Sequence, residues 1–352
     1  MSKFKKKNFH LNNVDSTSLK LTDEEISFGK KVVNNLYKFG FIFVKVLGTG
    51  GYCIVCLFKK NNKKYAIKSY LKIKPKIFSR INLISDHFNS HLTKCKKKNK
   101  FILNYKILEL DDVYYVISEP LDGDLFNHLF YSNKSNSSLL SAITPKSSNM
   151  DLTTQSNYIL FCQLIYSMKC LHDINIIHGD LKPENIFIKN NNSQIKIGDF
   201  DGSGIYKKQN PIDVRIYTGL YMHPSVDLEN IGNYEFNFSD DVYAIGLISV
   251  MIFDKTLGKY IVSIRPQLTY NNLGELISKI YRSKSIPEEL KELIIQMLNK
   301  QTTMEKVYNY ISQNKTCVNI KPYLNSMEHF KFNNINILKS KKSKKSKKSK
   351  KK

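Results

Sequence analysis

His178-Gly179-Asp180-Leu181-Lys182-Pro183-Glu184-Asn185 is the stretch on which the reading of the whole chain turns. Fourteen residues beyond Asn185 stands Asp199-Phe200, preceded by the strand-like run Gln194 to Ile197. Upstream, Leu47-Gly48-Thr49-Gly50-Gly51-Tyr52-Cys53-Ile54-Val55 places a glycine cluster between two strand-like runs, Phe39 to Leu47 and Ile54 to Phe58. Tyr65-Ala66-Ile67-Lys68 then forms an alternating run that ends in a lysine. Each pattern alone has a plain reading: a hairpin turn for the glycines, a solvent-facing strand residue for the lysine. All four together, in this order and spacing, are a combination chance rarely supplies.

The segments around these patterns have a clear organisation. The first three runs make a meander, with Asn61-Asn62 as one of its turns. Ile77, Ile81, Ile84, Phe88 and Leu92 recur at helical spacing and predict a single helix. Phe101 to Leu110 and Val113 to Ser118 read as two more strands about a turn at Asp111-Asp112. After Pro120 the pattern becomes helical, interrupted by a Ser- and Asn-rich stretch over residues 131–157 that reads as a surface insertion. Tyr158, Phe161, Leu164, Ile165, Met168 and Leu171 restore the helical period, and Val242 to Phe253 reads as a buried helix too short to span a bilayer.

The formal net charge is +25, but the run from Lys339 to Lys352 holds ten lysines and four serines and alone supplies +10 of it. Only Arg80, Arg215, Arg265 and Arg282 are arginines, so a lysine excess of this kind is weak ground for a nucleic-acid-binding face. Cys53 and Cys56 form a lone Cys-x-x-Cys with no second pair at zinc-ribbon spacing, and structural thiols are the better reading of the six cysteines. Lys3, Lys5, Lys6 and Lys7 are followed by no apolar stretch, so no signal peptide is expected and an intracellular setting, cytoplasmic or nuclear, follows. With 41 Phe and Tyr residues and 41% apolar residues, the chain has ample material for a core.

The eight-residue stretch resembles the catalytic loop of the protein kinase family, H-R-D-L-K-P-E-N, at seven of eight positions, and Asp199-Phe200 falls where the family has D-F-G. The resemblance extends over residues 40–312 and implies an α+β fold of two lobes: a small antiparallel β-sheet lobe with one helix, and a larger, mainly helical lobe. On this reading residues 1–38 form a basic extension, partly disordered or packed on the outside, 39–119 the small lobe, 120–312 the large lobe, and 313–352 a C-terminal extension with the Lys/Ser tail. The resemblance implies ATP and Mg²⁺, and transfer of the γ-phosphate to a protein hydroxyl. By the same resemblance Asp180 accepts the hydroxyl proton, Lys182 neutralises the transferred phosphate, Asn185 and Asp199 hold Mg²⁺, and Lys68 grips the α- and β-phosphates beneath the 47–55 hairpin. Glu119 falls at the hinge to the adenine, and Asp124 where a ribose-binding acid is found, or else is an exposed loop acid. Lys182, and Thr218 in Tyr217-Thr218-Gly219, resemble the serine/threonine branch.

The chain also departs from the family pattern. Cys53 replaces the third hairpin glycine, Asp201 the last glycine of D-F-G, and Gly179 the arginine that reads a phosphate on the activation segment. Without that arginine, activity independent of phosphorylation at Ser203, Tyr206 or Thr218 is expected. Between Ser69 and Leu108 the one carboxylate is Asp86, opposite the apolar stripe: either a solvated residue or a shorter stand-in for the glutamate that pairs with the strand lysine. Ser225 replaces a glutamate whose distant arginine partner is also missing. These departures keep a second reading in view, a pseudokinase that binds without transfer. A third places a non-specific nucleic-acid or other anionic partner on the lysine-rich tail.

Overall fold

Thr22 opens the described chain as the cap of helix α1 (Asp23–Tyr37). Its hydroxyl accepts from the Glu25 amide at 3.3 Å, and the Glu25 carboxylate accepts from the Thr22 amide at 2.7 Å. This reciprocal box satisfies two backbone donors that a helix start leaves unpaired. The computed structural model describes residues 22–50, 53–71, 75–91, 99–131, 152–189, 194–207 and 216–318. Within them the chain divides into two compact units: residues 22–71 with Tyr105–Pro120, and residues 75–104 with 121–318.

The first unit is an antiparallel sheet of β1 (Ile42–Gly50), β2 (Cys53–Lys60), β3 (Lys63–Tyr70), β4 (Tyr105–Leu110) and β5 (Val113–Ser118), in the order β1-β2-β3-β5-β4. The expected meander and its turns are present. Asn61-Asn62 and Asp111-Asp112 all sit in the left-handed region, φ 49° and 59° in each pair, as a two-residue hairpin turn demands. Strand alternation sends Ile54, Cys56, Phe58, Tyr65 and Ile67 to one face, where they bury Val32, Val33 and Leu36 of α1. The Asn35 amide donates to the Tyr115 hydroxyl at 3.3 Å inside that layer. Helix α1 is therefore part of the core, a correction to the expectation that residues before 39 lie outside it. Its signal was legible: a Thr-x-x-Glu box followed by Phe28, Val32 and Leu36 at helical spacing.

In the second unit, α2 (Pro75–His91) buries Ile81, Ile84 and Phe88, as its period predicts. His87 Nε2 donates to the Ile174 carbonyl at 2.7 Å, a contact inside the larger unit. The helix is grouped there and not with the sheet. Short strand β6 (Gly123–Asp124) leads into α3 (Leu125–Phe130), and α4 (Leu152–Asp173) runs through the core. Since α4 begins at Leu152, residues 152–157 are helical and do not belong to an unstructured insertion. Residues 132–151, Leu92 and the tail from 319 onward lie outside the described residues.

Strands β7 (Ile176–Ile177) and β10 (Gly204–Ile205) pair with each other, and β8 (Ile186–Lys189) pairs with both β6 and β9 (Gln194–Ile197). Helix α5 (Phe238–Phe253) is buried from Asp240 to its end, as its apolar run predicts, with Phe253 edge-on to Tyr158 and Phe161 of α4. Helices α6 (Lys255–Ser263), α7 (Tyr270–Arg282), α8 (Glu288–Leu298) and α9 (Met304–Gln313) complete the unit. Among the described residues no helix is long and apolar enough to cross a membrane.

Candidate active site

The sheet unit carries the glycine hairpin and Lys68. Gly48 pairs with Val55, Thr49 with Ile54 and Gly50 with Cys53, so the cluster bridges β1 and β2; Gly51 and Tyr52 lie outside the described residues. A Cβ on Gly48 would meet nothing within 4 Å, whereas one on Gly50 would come to 3.3 Å from Cys53 Sγ. Val55 is paired with Lys68 and Leu57 with Ala66, and directly opposed residues share a face, so these side chains project away from α1. Ile54 projects the other way, into the α1 core, because adjacent strand residues alternate, and by the same pairing Thr49 shares its face. Leu47 is exposed, and Glu119 is buried at the end of the unit, where its carbonyl accepts from the Ser118 hydroxyl at 3.2 Å. Cys53 and Cys56 lie on opposite faces of β2 and cannot share a metal; burial pushes the Cys56 thiol up to about 12.

The second unit carries the loop between β7 and β8. Asp241, 2% exposed at the start of α5, accepts from the His178 amide at 2.8 Å, the Gly179 amide at 3.1 Å and His172 Nε2 at 2.9 Å. Burial alone would raise its carboxyl, but the His172 hydrogen bond and charge, with His178, hold it below the usual aspartate value. Gly179 has φ +76°, a left-handed conformation that costs an L side chain energy, so glycine suits the position its loop requires. His178 Nε2 donates to the Gly198 carbonyl at 3.1 Å, and the Ser203 hydroxyl to the His178 carbonyl at 2.8 Å. The loop is thereby tied to the segment that carries Asp199.

Asp180, 8% exposed, has both oxygens occupied. Thr218 Oγ1 donates to Oδ1 at 2.7 Å, Lys182 Nζ lies 2.9 Å from Oδ2 and 2.8 Å from Thr218 Oγ1, and Asn185 Nδ2 reaches the Asp180 carbonyl at 2.8 Å and Oδ2 at 3.3 Å. Asn185 closes the loop before β8, and its carbonyl accepts from the Gly198 amide just after β9, so Asn185 and Asp199 flank the same end of the β8–β9 hairpin. Asp199 sits at φ 60°, ψ 67°. Asp201 follows in a turn of 3₁₀ helix that any residue adopts, and the tight position is Gly202, whose Cβ would lie 2.7 Å from the Ile216 carbonyl oxygen. The backbone constraint in this turn thus lies at Gly202 and not at Asp201.

Asp124 caps α3, accepting from the Asn127 amide at 2.8 Å and its side-chain amide at 2.7 Å, so it has a structural duty whatever else it binds. Asp86 is exposed, as its helical phase predicts. Ser225 pairs locally with His223, and an ion pair still braces this region: Lys300 Nζ is 2.5 Å from Asp240 Oδ1, which also accepts from the Tyr234 hydroxyl at 2.8 Å. No sequence signal marked that trio, because its members are 6 and 60 residues from Asp240.

A buried acid that holds a hydroxyl and an ammonium, next to an amide and a second acid at a hairpin end, can take a proton while nearby oxygens hold a hard cation. Comparisons with known proteins agree on the source of this arrangement. The protein kinase domain model matches residues 41–306. The serine/threonine-protein kinase PSK2 of Saccharomyces cerevisiae is 25% identical over 309 residues, 82% of this chain and 25% of that protein; its counterpart PSK1 is 27% identical over 84% of this chain and 20% of its own length. The mouse serine/threonine-protein kinase DCLK2 is 25% identical over 72% of this chain and 31% of its length. The chain thus spans a third or less of these relatives. In fold it is similar to the PK-1 kinase of Cydia pomonella granulovirus, with a TM-score of 0.53 at 19% identity over 83% of this chain and 99% of that one. With a family model matched over most of its length and two compact units of the expected composition, the chain belongs to the protein kinase domain family.

Proposed function

We propose that this chain is an active serine/threonine protein kinase that transfers the γ-phosphate of ATP to a protein hydroxyl. The observation that carries this reading is the closed set of contacts among Asp180, Lys182, Thr218 and Asn185. The donor set suits the groups the family uses. Asn185 spends its N–H groups on Asp180 and leaves Oδ1 as a neutral oxygen ligand, and Asp199 adds a carboxylate, a pairing that Mg²⁺ accepts alongside phosphate and water. Bound there, Mg²⁺ would offset charge on the phosphates.

The chain's own residues do the rest. Asp180 takes the proton of the attacking hydroxyl as the new oxygen–phosphorus bond forms and the bond to the β-phosphate breaks, releasing ADP. Lys182, already against Asp180, is placed to offset charge on the moving phosphoryl group. Thr218 orients Asp180 through Oδ1. On the sheet unit, Lys68 would grip the α- and β-phosphates, with Gly48 and Gly50 leaving room for close backbone approach. Glu119 and Asp124 would contact adenine and ribose.

Labelled phosphate from ATP with Mg²⁺ and a generic basic substrate tests this, with wild type set against Asp180→Asn. Labelled serine or threonine with wild type alone is the expected result. Nucleotide binding with equal background labelling in both would favour the pseudokinase reading, which the exposed position of Asp86 supports.

A further inference from the structure

Tyr206 and Tyr217 stand on either side of residues 208–215, between the Asp199 loop and Thr218. Both are half-buried, and both pack against one apolar cluster, Ile177, Met222, Val226 and Phe236. On the upstream side the backbone is fixed as well. Gly204 and Ile205 pair with Ile177 and Ile176 in the β7–β10 ladder, and the Tyr206 amide donates to the Asn175 carbonyl at 2.7 Å. The Tyr206 ring lies 5.0 Å from that of Phe238, and the Phe238 ring 4.7 Å from that of His172. His172 Nε2 is in turn 2.9 Å from Asp241 Oδ2, the oxygen that also accepts from the His178 amide. On the downstream side Tyr217 directly precedes Thr218, whose hydroxyl donates to Asp180.

From these contacts we infer that Tyr206 and Tyr217 are positioning residues, an aromatic clasp that fixes both flanks of the activation segment for transfer without a phosphate. The inference rests on the kinase reading and extends it to regulation. Gly179 puts no cation where the family reads a phosphate on this segment. A phosphate–arginine pair orders such a segment by charge, and only after modification. Packed rings order it through apolar burial and ring contacts, which the unmodified chain already has. The two tyrosines reach Asp180 by different routes. Tyr217 sets the backbone from which Thr218 meets Oδ1, and Tyr206 packs on the ring that backs His172, itself bonded to the aspartate that holds the catalytic loop. Small displacements count here, because the attacking hydroxyl must sit within hydrogen-bond reach of Asp180 and in line with the phosphorus. Nucleotide and metal are assigned to Lys68, Asn185 and Asp199, so the clasp acts on the transfer step and not on MgATP binding.

The test uses phosphatase-treated full-length wild type, Tyr206→Phe, Tyr206→Ala, Tyr217→Phe and Tyr217→Ala. It measures kcat and KM for transfer, the affinity and stoichiometry of MgATP by direct titration, and the rate of tryptic cleavage after the exposed Lys207. Each alanine variant is expected to lower kcat about 5- to 50-fold and to speed cleavage, with MgATP affinity within about twofold of wild type. The phenylalanine variants, which keep the rings, should hold kcat within about twofold of wild type. Stoichiometry separates positioning from mere stability, since an unfolded fraction removes sites without weakening those that remain. Tyr206→Leu and Tyr217→Leu serve as the ring-free variants if alanine unfolds the unit. Unchanged kcat in the ring-free variants, equal losses for phenylalanine and alanine, or a loss matched by missing sites would overturn the assignment. Wild type that binds MgATP but transfers nothing would overturn the active-kinase reading instead; the clasp then stands if the ring-free variants alone are cleaved faster, and falls if they are not.

Discussion

Asp241 shows how much of the site depends on single atoms. Its two oxygens receive the amides of consecutive residues, His178 and Gly179, and the His172 ring, with almost no solvent to replace any of them. In Asp241→Asn one acceptor becomes an N–H₂ aimed at an N–H donor, and we expect a cost of about 1–3 kcal/mol in urea unfolding together with loss of transfer. Gly179 makes the complementary point. At φ +76° any Cβ is strained, so Gly179→Ala should destabilise by about 1–2 kcal/mol, read from the same unfolding curves. The sequence marked Gly179 only as a missing arginine; its conformational reason became visible with the backbone. Lys68, Asp180, Asn185 and Asp199 were legible because short patterns carry them, whereas the contact of Tyr206 with Phe238 was not, since no local pattern links residues so far apart in the chain.

At the scale of elements, α1 is the clearest addition. Leu36 is fully buried against the sheet, and Leu36→Ala should cost about 2–4 kcal/mol, seen as a lowered unfolding midpoint. A helix merely resting on the outside would lose far less. Thr22→Ala, which removes the cap, should cost about 1 kcal/mol by the same measure. Strand registers behaved differently from α1: the two left-handed Asn-Asn and Asp-Asp turns set them locally, and turns of that kind can be read from adjacent residues. For α2 the period gave the helix and its buried face, but which unit that face packs on depends on contacts such as His87 to Ile174, 87 residues apart.

The whole molecule should respond to acid through His223. Its Nδ1 accepts from the Ser225 amide at 3.1 Å, which requires the neutral ring, and burial first, then the Lys300 charge, lower its pKa from 6.5 to about 4, while Asp240 opposes them. The unfolded chain takes up this proton near pH 6.5 and the folded chain only near 4, so stability is lost as pH falls through that window. His223→Asn, which offers an acceptor that does not titrate, should flatten the profile of unfolding midpoint against pH between those values. Phosphatase treatment should leave the transfer rate of the full chain largely unchanged, because Gly179 supplies no cation to read a phosphate; a large loss would contradict this. By itself the sequence determined the family, the two-part α+β architecture, the buried helix from Val242 to Phe253 and the residues of the β7–β8 loop, because these are written in local periodicity and in short contiguous motifs. Only the tertiary structure decided that α1 joins the core, that α2 belongs with the larger unit, that Ile54 faces away from Lys68, and that Lys300, Asp240 and Tyr234 brace the region where a family ion pair is missing. Those facts come from contacts between residues distant in the chain, whose free energy depends on burial and geometry that no local pattern specifies.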